Sequence, residues 1–241
     1  MIYFKKNDLD YIFVHIPKTA GTSIQNTLIE KSDFSENIKT SGFKSISIDM
    51  NNCDGHVPAW FVAPKLKINN VKFLAVIRNP WARMFSLFQH TLLRKNKEKN
   101  NTLESNLFLD TRYHLSNYFL EKSHEFINNI GTKNIKEIFE FWLFFIGRHK
   151  KIIPQNNANF NLLSQNWWLL KDTTKNYTQE IFQYEAMDRL EKYLNIDIIN
   201  FKQKSIFRSN DRYRDFYTKE SKEFVANLDS WVIKKYNYKF D

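Results

Sequence analysis

The distribution of hydrophobic residues predicts two strand–turn–helix units in the first part of the chain. Tyr11–Ile16 is a run of β-forming residues that Pro17 ends, and residues 22–30 then show the apolar spacing of a helix. Lys72–Ile77 is a nearly continuous apolar strand, and a helix from about Pro80 to Arg94 follows it. Strands that alternate with helices predict an α/β fold in which helices layer a sheet.

The second half of the chain continues this pattern without a visible boundary. Residues 110–149 have helical spacing, residues 167–170 and 180–184 are short apolar runs that we interpret as strands, and residues 218–235 form a final predicted helix. The chain has only five glycines and five prolines, and no linker rich in Gly, Ser or Pro interrupts it. We therefore expect a single domain over residues 1–241.

Composition adds a preference for anions and excludes several classes of protein. The 36 Lys and Arg residues exceed the 26 Asp and Glu residues, so the net charge is +10. Such a charge favours an anionic ligand, polymer or surface, although a base-biased genome would also enrich lysine. With Cys53 as its one cysteine, the chain forms no intramolecular disulfide and no multi-cysteine zinc site.

No segment of the sequence has the pattern of a signal peptide or a membrane span. The most apolar run, Phe141–Ile146, is far shorter than the roughly 20 residues that cross a bilayer. We therefore expect no transmembrane segment and a cytoplasmic location.

The first anion-binding motif is Pro17–Ser23, which lies between a predicted strand and a predicted helix. Backbone N–H groups at such a helix start point outward at the positive end of the helix dipole. Gly21 allows close backbone approach, Thr22 and Ser23 add hydroxyl donors, and Lys18 adds a positive charge. The lysine precedes the glycine, unlike the order in common nucleotide triphosphatases. An ordinary helix start is the alternative interpretation.

The second motif begins with Arg78 at the carboxyl end of the second strand, the edge where open α/β sheets bind ligands. Asn79 and Pro80 supply an N-cap and a first helical residue. Ser86 lies seven residues beyond Asn79 in the sequence, hence on nearly the same helix face and about 10 Å along the axis. The Arg78 side chain is long enough to share one phosphate with the Ser86 hydroxyl. The alternative interpretations are a surface ion pair for Arg78 and a solvated hydroxyl for Ser86.

Together these motifs resemble the sulfotransferases that use 3′-phosphoadenosine-5′-phosphosulfate (PAPS), specifically the carbohydrate-type family that includes heparan sulfate 2-O-sulfotransferase. His15–Ser23 is similar to that family's 5′-phosphosulfate loop, and Arg78–Ser86 to its 3′-phosphate element, with Asn79 where the family often has aspartate. Weaker similarities follow in order at Gln165, Trp167–Trp168, Phe182–Glu185, Tyr213, Phe216–Tyr217 and Tyr238–Phe240. The resemblance implies a P-loop-like nucleotide-binding fold with a central, mainly parallel sheet flanked by helices.

The resemblance also implies a catalytic base. Asp54–Pro58 is similar to the Gly-His segment that supplies this base in the heparan-type members, so His56 is the predicted base. A structural or exposed histidine is the alternative, and Asp54 and Glu185 are the fallback bases. His15 lies in a predicted strand, which favours a structural role.

A basic turn over residues 202–214 matches the region where the family has a phosphate-contacting loop, so Arg208 and Ser209 are predicted cofactor contacts. A solvated run of charge is the equal alternative.

The implied reaction transfers a sulfuryl group from PAPS to an acceptor hydroxyl, on a glycan or another molecule, and leaves 3′,5′-bisphosphoadenosine (PAP). His56 removes the acceptor proton, and Lys18 stabilises charge on the bridging oxygen. No metal is expected, because no metal-ligand spacing occurs in the sequence. The predicted cofactor contacts are Lys18, Thr19, Ala20, Gly21, Thr22, Ser23, Arg78, Ser86, Arg208 and Ser209.

Two other functions are consistent with parts of the sequence. A nucleotide kinase with an atypical phosphate loop would require magnesium and ATP. A basic nucleic-acid-binding protein would use the net charge and the aromatic residues of the basic turn. The two separate phosphate motifs favour the transferase, for which no nucleic-acid partner is expected. Neither the acceptor nor the oligomeric state is encoded in a recognisable motif.

Overall fold

The structure, a computed structural model, describes residues 1–37, 57–66, 70–93, 136–137, 139–140, 142–144, 164–171, 175–198 and 210–241. The chain folds into two compact units. The first comprises Met1–Asn79, Ser164–Gln203 and Asp229–Tyr238, and the second comprises Pro80–Leu163, Lys204–Leu228 and Lys239–Asp241.

Within the described residues, all strands belong to the first unit. They are β1 (Ile2–Lys6), β2 (Leu9–Val14), β3 (Phe34–Asn37), β4 (Lys72–Ile77), β5 (Leu170–Lys171), β6 (Lys175–Asn176) and β7 (Glu180–Gln183). Five of them form one sheet in the order β3-β1-β2-β4-β7, and β5 pairs with β6 in a second, two-stranded sheet. The strand predicted at Lys72–Ile77 is confirmed with its bounds unchanged.

The main sheet is mostly parallel in direction. β2 pairs in parallel with β4, and β4 with β7, whereas β1 runs antiparallel to both β2 and β3. β1 and β2 form a hairpin whose two loop residues, Asn7 and Asp8, have φ angles of 50° and 61°. This left-handed pair is the conformation that tight hairpins favour, and Asn and Asp tolerate it better than most residues do.

The helices whose full bounds lie within the described residues are α1 (Gly21–Lys31), α2 (Ala59–Val62), α3 (Pro80–Leu93), α4 (Gln165–Leu169), α5 (Met187–Leu194), α6 (Lys219–Leu228) and α7 (Ser230–Tyr236). Short 3-10 turns occupy Ala63–Lys65, Tyr184–Ala186 and Asn210–Phe216. Within the described parts of the chain, no helix combines the length and the apolar character needed to cross a membrane.

The core of the first unit lies between the sheet and two helices. Alternate strand residues such as Phe4, Phe13 and Val76 point to one face of the sheet, where they pack with Ile24 of α1 and Leu190 of α5. Each of these side chains is fully buried, which stabilises the fold by roughly 1.5–3 kcal/mol per residue. The predicted α/β fold with a central, mainly parallel sheet flanked by helices is confirmed.

In the second unit, residues 80–89 of α3 are buried, and aromatic rings pack against this part of the helix. Phe85 lies 4.4 Å from Phe216 and 5.7 Å from Phe139 between ring centroids, and Phe88 lies 5.4 Å from Trp142. The helix predicted from about Pro80 is therefore confirmed.

Two predicted elements are wrong. The apolar run at residues 167–170 is mainly the helix α4, with only Leu170 in a strand. Four apolar residues fit a helix as well as a strand, and contacts from distant residues decide between them. The final helix, predicted as continuous, divides at Asp229, whose φ and ψ of −113° and 29° are not helical. Most of the predicted helical region 110–149 lies outside the described residues, although residues 136–137, 139–140 and 142–144 are helical.

Candidate active site

The loop between β2 and α1, residues 15–20, has an unusual backbone conformation. Lys18 and Ala20 adopt φ angles of 69° and 67°, and non-glycine residues in this region cost about 1–3 kcal/mol each. Thr19 lies between them fully buried, and its hydroxyl donates to the carbonyl of Ile16 at 2.8 Å. Left-handed residues next to helical ones turn neighbouring N–H groups toward one side, which forms a concave site for anions.

The start of α1 adds to this positive character. The first helical hydrogen bond runs from the Ile24 N–H to the Ala20 carbonyl at 3.1 Å, so the N–H groups of residues 21–23 are not used within the helix. Ala20 provides no side-chain cap, and the first turn holds no acidic residue. The positive end of the helix dipole is therefore not neutralised by the helix itself.

Gly21 is required by the packing of His15. A β-carbon on Gly21 would overlap Cδ2 of His15, far inside van der Waals contact. The His15 ring is 9% exposed, and its Nδ1 donates to Oε1 of Gln25 at 3.1 Å. An amide oxygen only accepts, so Nδ1 carries the proton. This buried position fits the structural role expected of His15.

Arg78 follows β4 directly and contacts the β2–α1 loop. Its Nη1 donates to the carbonyl of Lys18 at 3.3 Å, and its guanidinium lies 4.3 Å from the ring centroid of Tyr184. Arg78 is 6% exposed. The two motifs are brought together because β2 and β4 are adjacent parallel strands, which places their carboxyl ends at one edge of the sheet.

The backbone of Arg78 is held by a buried amide. Oε1 of Gln165 accepts from the Arg78 N–H at 2.8 Å, and Nε2 of Gln165 donates to the Arg78 carbonyl at 2.8 Å. Asp229 holds Gln165 in turn: its Oδ1 accepts from the Gln165 backbone N–H at 2.6 Å, and its Oδ2 accepts from Nε2 at 3.3 Å. Gln165 and Asp229 are both fully buried.

The next peptide unit is held by Glu185. Its Oε1 accepts from the Asn79 N–H at 2.8 Å, and its Oε2 accepts from the Tyr238 hydroxyl at 2.8 Å. Burial, and then the neighbouring Glu185 carboxylate, raise the pKa of Tyr238 well above its usual range, so this hydroxyl remains a donor. Because both Glu185 oxygens accept hydrogen bonds, the geometry favours a structural role for Glu185 over that of a fallback base.

The remaining predicted site residues are distributed as follows. Lys18, Thr19, Ala20, Gly21, Thr22 and Ser23 lie together in the β2–α1 loop and the first turn of α1, with Lys18 partly and Thr22 largely exposed. Ser86 lies on α3 in the second compact unit, where it is 8% exposed. His56, Arg208 and Ser209 lie outside the described residues.

The sequence motifs did not indicate the part that Asp229 and Tyr184 play in this arrangement. Asp229 interrupts an otherwise continuous helical pattern, and Tyr184 ends a short apolar run, so neither has a local signal of a contact with distant residues. In the described part of the chain, no cluster of three or more His, Cys, Asp or Glu side chains has the arrangement of a metal site.

The arrangement defines a class of protein: an α/β fold in which a buried arginine contacts a strand-to-helix loop at the ends of adjacent parallel strands. The family model described as "Sulfotransferase family" matches residues 2–240. The chain therefore belongs to the sulfotransferase family, whose activity is the transfer of sulfuryl groups. Comparison with curated proteins and with solved structures gives no match.

Proposed function

We propose that this protein transfers a sulfuryl group from PAPS to a hydroxyl group of a carbohydrate acceptor, on a P-loop-like fold. The hydrogen bond from Arg78 to the Lys18 carbonyl carries the proposal, because it joins the two phosphate motifs at one edge of the sheet. The donor molecule has anionic groups at both its 5′ and 3′ ends, and two neighbouring positive sites suit such a molecule.

The β2–α1 loop binds the 5′-phosphosulfate. The N–H groups at the start of α1, with the hydroxyls of Thr22 and Ser23, donate to its anionic oxygens. Gly21 keeps the helix start close to the loop, and the buried Thr19 holds the loop in shape.

The 3′-phosphate is bound by Arg78, with Ser86 as a second donor. A guanidinium offers several N–H donors in one plane, so the hydrogen bond to Lys18 and a contact with phosphate are compatible. In this proposal, the residues Arg208 and Ser209 contribute further phosphate contacts from the basic turn.

The reaction is an in-line displacement at sulfur. The bond between sulfur and the bridging oxygen of the donor breaks while a bond to the acceptor oxygen forms, and PAP leaves. His56 removes the acceptor proton, and Lys18 stabilises the negative charge that develops on the bridging oxygen. Positioning and charge neutralisation supply the catalysis, as in loose phosphoryl transfer.

The acceptor class rests on the similarity of the motifs to the carbohydrate-type sulfotransferases. The net charge of +10 would also favour an anionic glycan, because opposite charges raise the rate of encounter. The sugar and the sulfated position are not part of the proposal.

A thermal-shift comparison tests the donor site. PAP should raise the melting temperature at concentrations where ATP with magnesium and an oligonucleotide do not; a ligand at 100 times its Kd stabilises a protein by about 2.7 kcal/mol. A preference for ATP with magnesium would indicate the kinase instead. Salt-dependent oligonucleotide binding without a PAP preference would indicate the nucleic-acid-binding protein.

A turnover assay tests the reaction itself. Wild-type protein with PAPS and a mixture of glycans should release PAP and place sulfate on the glycan fraction. Lys18→Ala should lower turnover about 100-fold or more, the usual loss when a group that stabilises transition-state charge is removed. Lys31→Ala is the matched control, because Lys31 is an exposed lysine at the other end of α1. Equal activity of the two variants would contradict the role of Lys18.

A further inference from the structure

The turn that carries Arg78 and Asn79 lies just beyond the paired part of the sheet. The pairing of β4 with β2 ends at Ala75, opposite Val14, and its pairing with β7 ends at Ile77, opposite Gln183. The peptide groups of the next two residues therefore need partners other than a strand. The peptide groups of Arg78 are buried, where a backbone group without a hydrogen bond is costly.

Two side chains from distant parts of the chain supply these partners. The Gln165 amide pairs with both the N–H and the carbonyl of Arg78, as a neighbouring strand would. The Glu185 carboxylate accepts from the Asn79 N–H. The two side chains thus extend the hydrogen-bond pattern of the sheet by two peptide units.

Both side chains are themselves fixed in place. Asp229 accepts two hydrogen bonds from Gln165, and Tyr238 donates to Glu185. Such support matters for a binding arginine, because a small displacement of its backbone moves the long guanidinium away from the geometry that a phosphate requires.

We infer that Gln165 and Glu185 are positioning residues for the 3′-phosphate contact: they fix the backbone of Arg78 and Asn79 so that the Arg78 guanidinium stays beside the β2–α1 loop. This inference rests on the proposed function. It assigns to Glu185 a role in donor recognition without proton transfer.

Glu185 provides the sharper test, because it is an exposed residue whereas Gln165 is fully buried. The measurement is the Kd of PAP and of adenosine 5′-phosphosulfate, which lacks the 3′-phosphate. Glu185→Ala should weaken PAP binding about 5- to 30-fold and the binding of adenosine 5′-phosphosulfate less than about twofold, a difference of the size expected for a charge-assisted hydrogen bond. Glu185→Gln should restore most of the PAP affinity, since an amide oxygen still accepts from the Asn79 N–H.

Glu191→Ala is the matched control. Glu191 also accepts a backbone N–H, from Ile198 at 2.9 Å, but on α5 and away from the Arg78 turn. The Glu191→Ala variant should leave the ratio of the PAP Kd to the adenosine 5′-phosphosulfate Kd unchanged. Gln165→Glu is the second variant; it keeps an acceptor for the Arg78 N–H but loses the amide donor to the Arg78 carbonyl, and it should also reduce the preference for PAP over adenosine 5′-phosphosulfate.

The outcomes separate the two proposals. A wild-type protein that binds PAP no better than adenosine 5′-phosphosulfate would contradict the proposed 3′-phosphate site, and the inference with it. A wild-type preference that persists in Glu185→Ala, or a loss that Glu185→Gln does not restore, would overturn the inference alone.

Discussion

The ring of His15 packs against the backbone of Gly21 so closely that no side chain fits between them. His15 directly follows the last residue of β2, and Gly21 is the first residue of α1. The close packing therefore fixes the separation of strand and helix across the loop that we propose binds the 5′-phosphosulfate.

Gly21→Ala should destabilise the protein. The added β-carbon would overlap Cδ2 of His15, so the ring or the helix must move, and overpacking of this kind costs typically about 1–3 kcal/mol. Chemical denaturation of the variant and of the wild type measures the change in the free energy of unfolding. Asn26→Ala is the control, because Asn26 is exposed on the same helix and alanine favours helix formation.

The double variant His15→Ala with Gly21→Ala tests whether overlap with the His15 ring causes this loss of stability. Removal of the ring should relieve the overlap, so the two changes together should cost less than the sum of the single changes. Additive losses would show that Gly21 is required for another reason.

Local pattern was sufficient for the elements that carry strong hydrophobic periodicity. β4 is a buried central strand, so its apolar run marks it from end to end, and α1 and α3 show a clear helical spacing. β1 escaped prediction because its hairpin turn, Asn7–Asp8, contains no glycine, and α4 because four apolar residues do not distinguish a helix from a strand.

The candidate site, like the fold, could be predicted from the sequence only in part. Adjacent parallel strands bring Lys18 and Arg78 together, and the order of strands and motifs in the sequence was enough to indicate this edge of the sheet. The support of Arg78 comes from Gln165 and Glu185, which lie 87 and 106 residues from their hydrogen-bond partners in the sequence. The specific pairings depend on tertiary geometry, for which a single sequence contains no local signal.

Arg78→Ala should separate recognition of the two ends of the donor. Loss of a charged partner costs about 1.5–3 kcal/mol, so the PAP affinity should fall about 10- to 100-fold. Adenosine 5′-phosphosulfate should lose less, because it lacks the 3′-phosphate that Arg78 is proposed to bind. Calorimetric titration with both nucleotides makes the comparison, and Arg189→Ala on α5 controls for the removal of an exposed arginine. Equal losses for both nucleotides would contradict a 3′-phosphate role.

The contribution of the Tyr238 hydroxyl to the free energy of unfolding should decrease at alkaline pH. Burial and the Glu185 carboxylate raise the pKa of Tyr238 in the folded state, whereas in the unfolded state it titrates near its ordinary value of about 10. The folded state therefore holds a proton that the unfolded state loses. This contribution is complete below about pH 10 and declines as the pH rises above that value.

Tyr238→Phe tests this linkage. Below about pH 9 the variant should be less stable than the wild type by about 1 kcal/mol, the usual contribution of one hydrogen bond. Between about pH 10 and 11 the difference should shrink, because only the wild type has a phenol that ionises on unfolding. The free energy of unfolding at a series of pH values measures it, and a difference that stays constant across this range would refute the prediction.

His56→Ala should abolish most turnover while PAP binding stays intact. The proposed base acts on the acceptor proton and makes no contact with the donor, and loss of a general base lowers rates typically about 100- to 10,000-fold. The experiment measures the rate of PAP formation and, on the same preparation, the Kd of PAP. His15→Gln is a useful comparison: it should act mainly through stability, because His15 is buried against Gly21. If His56→Ala keeps near wild-type turnover while PAP still binds, then another residue takes the acceptor proton and the assignment of the base is wrong.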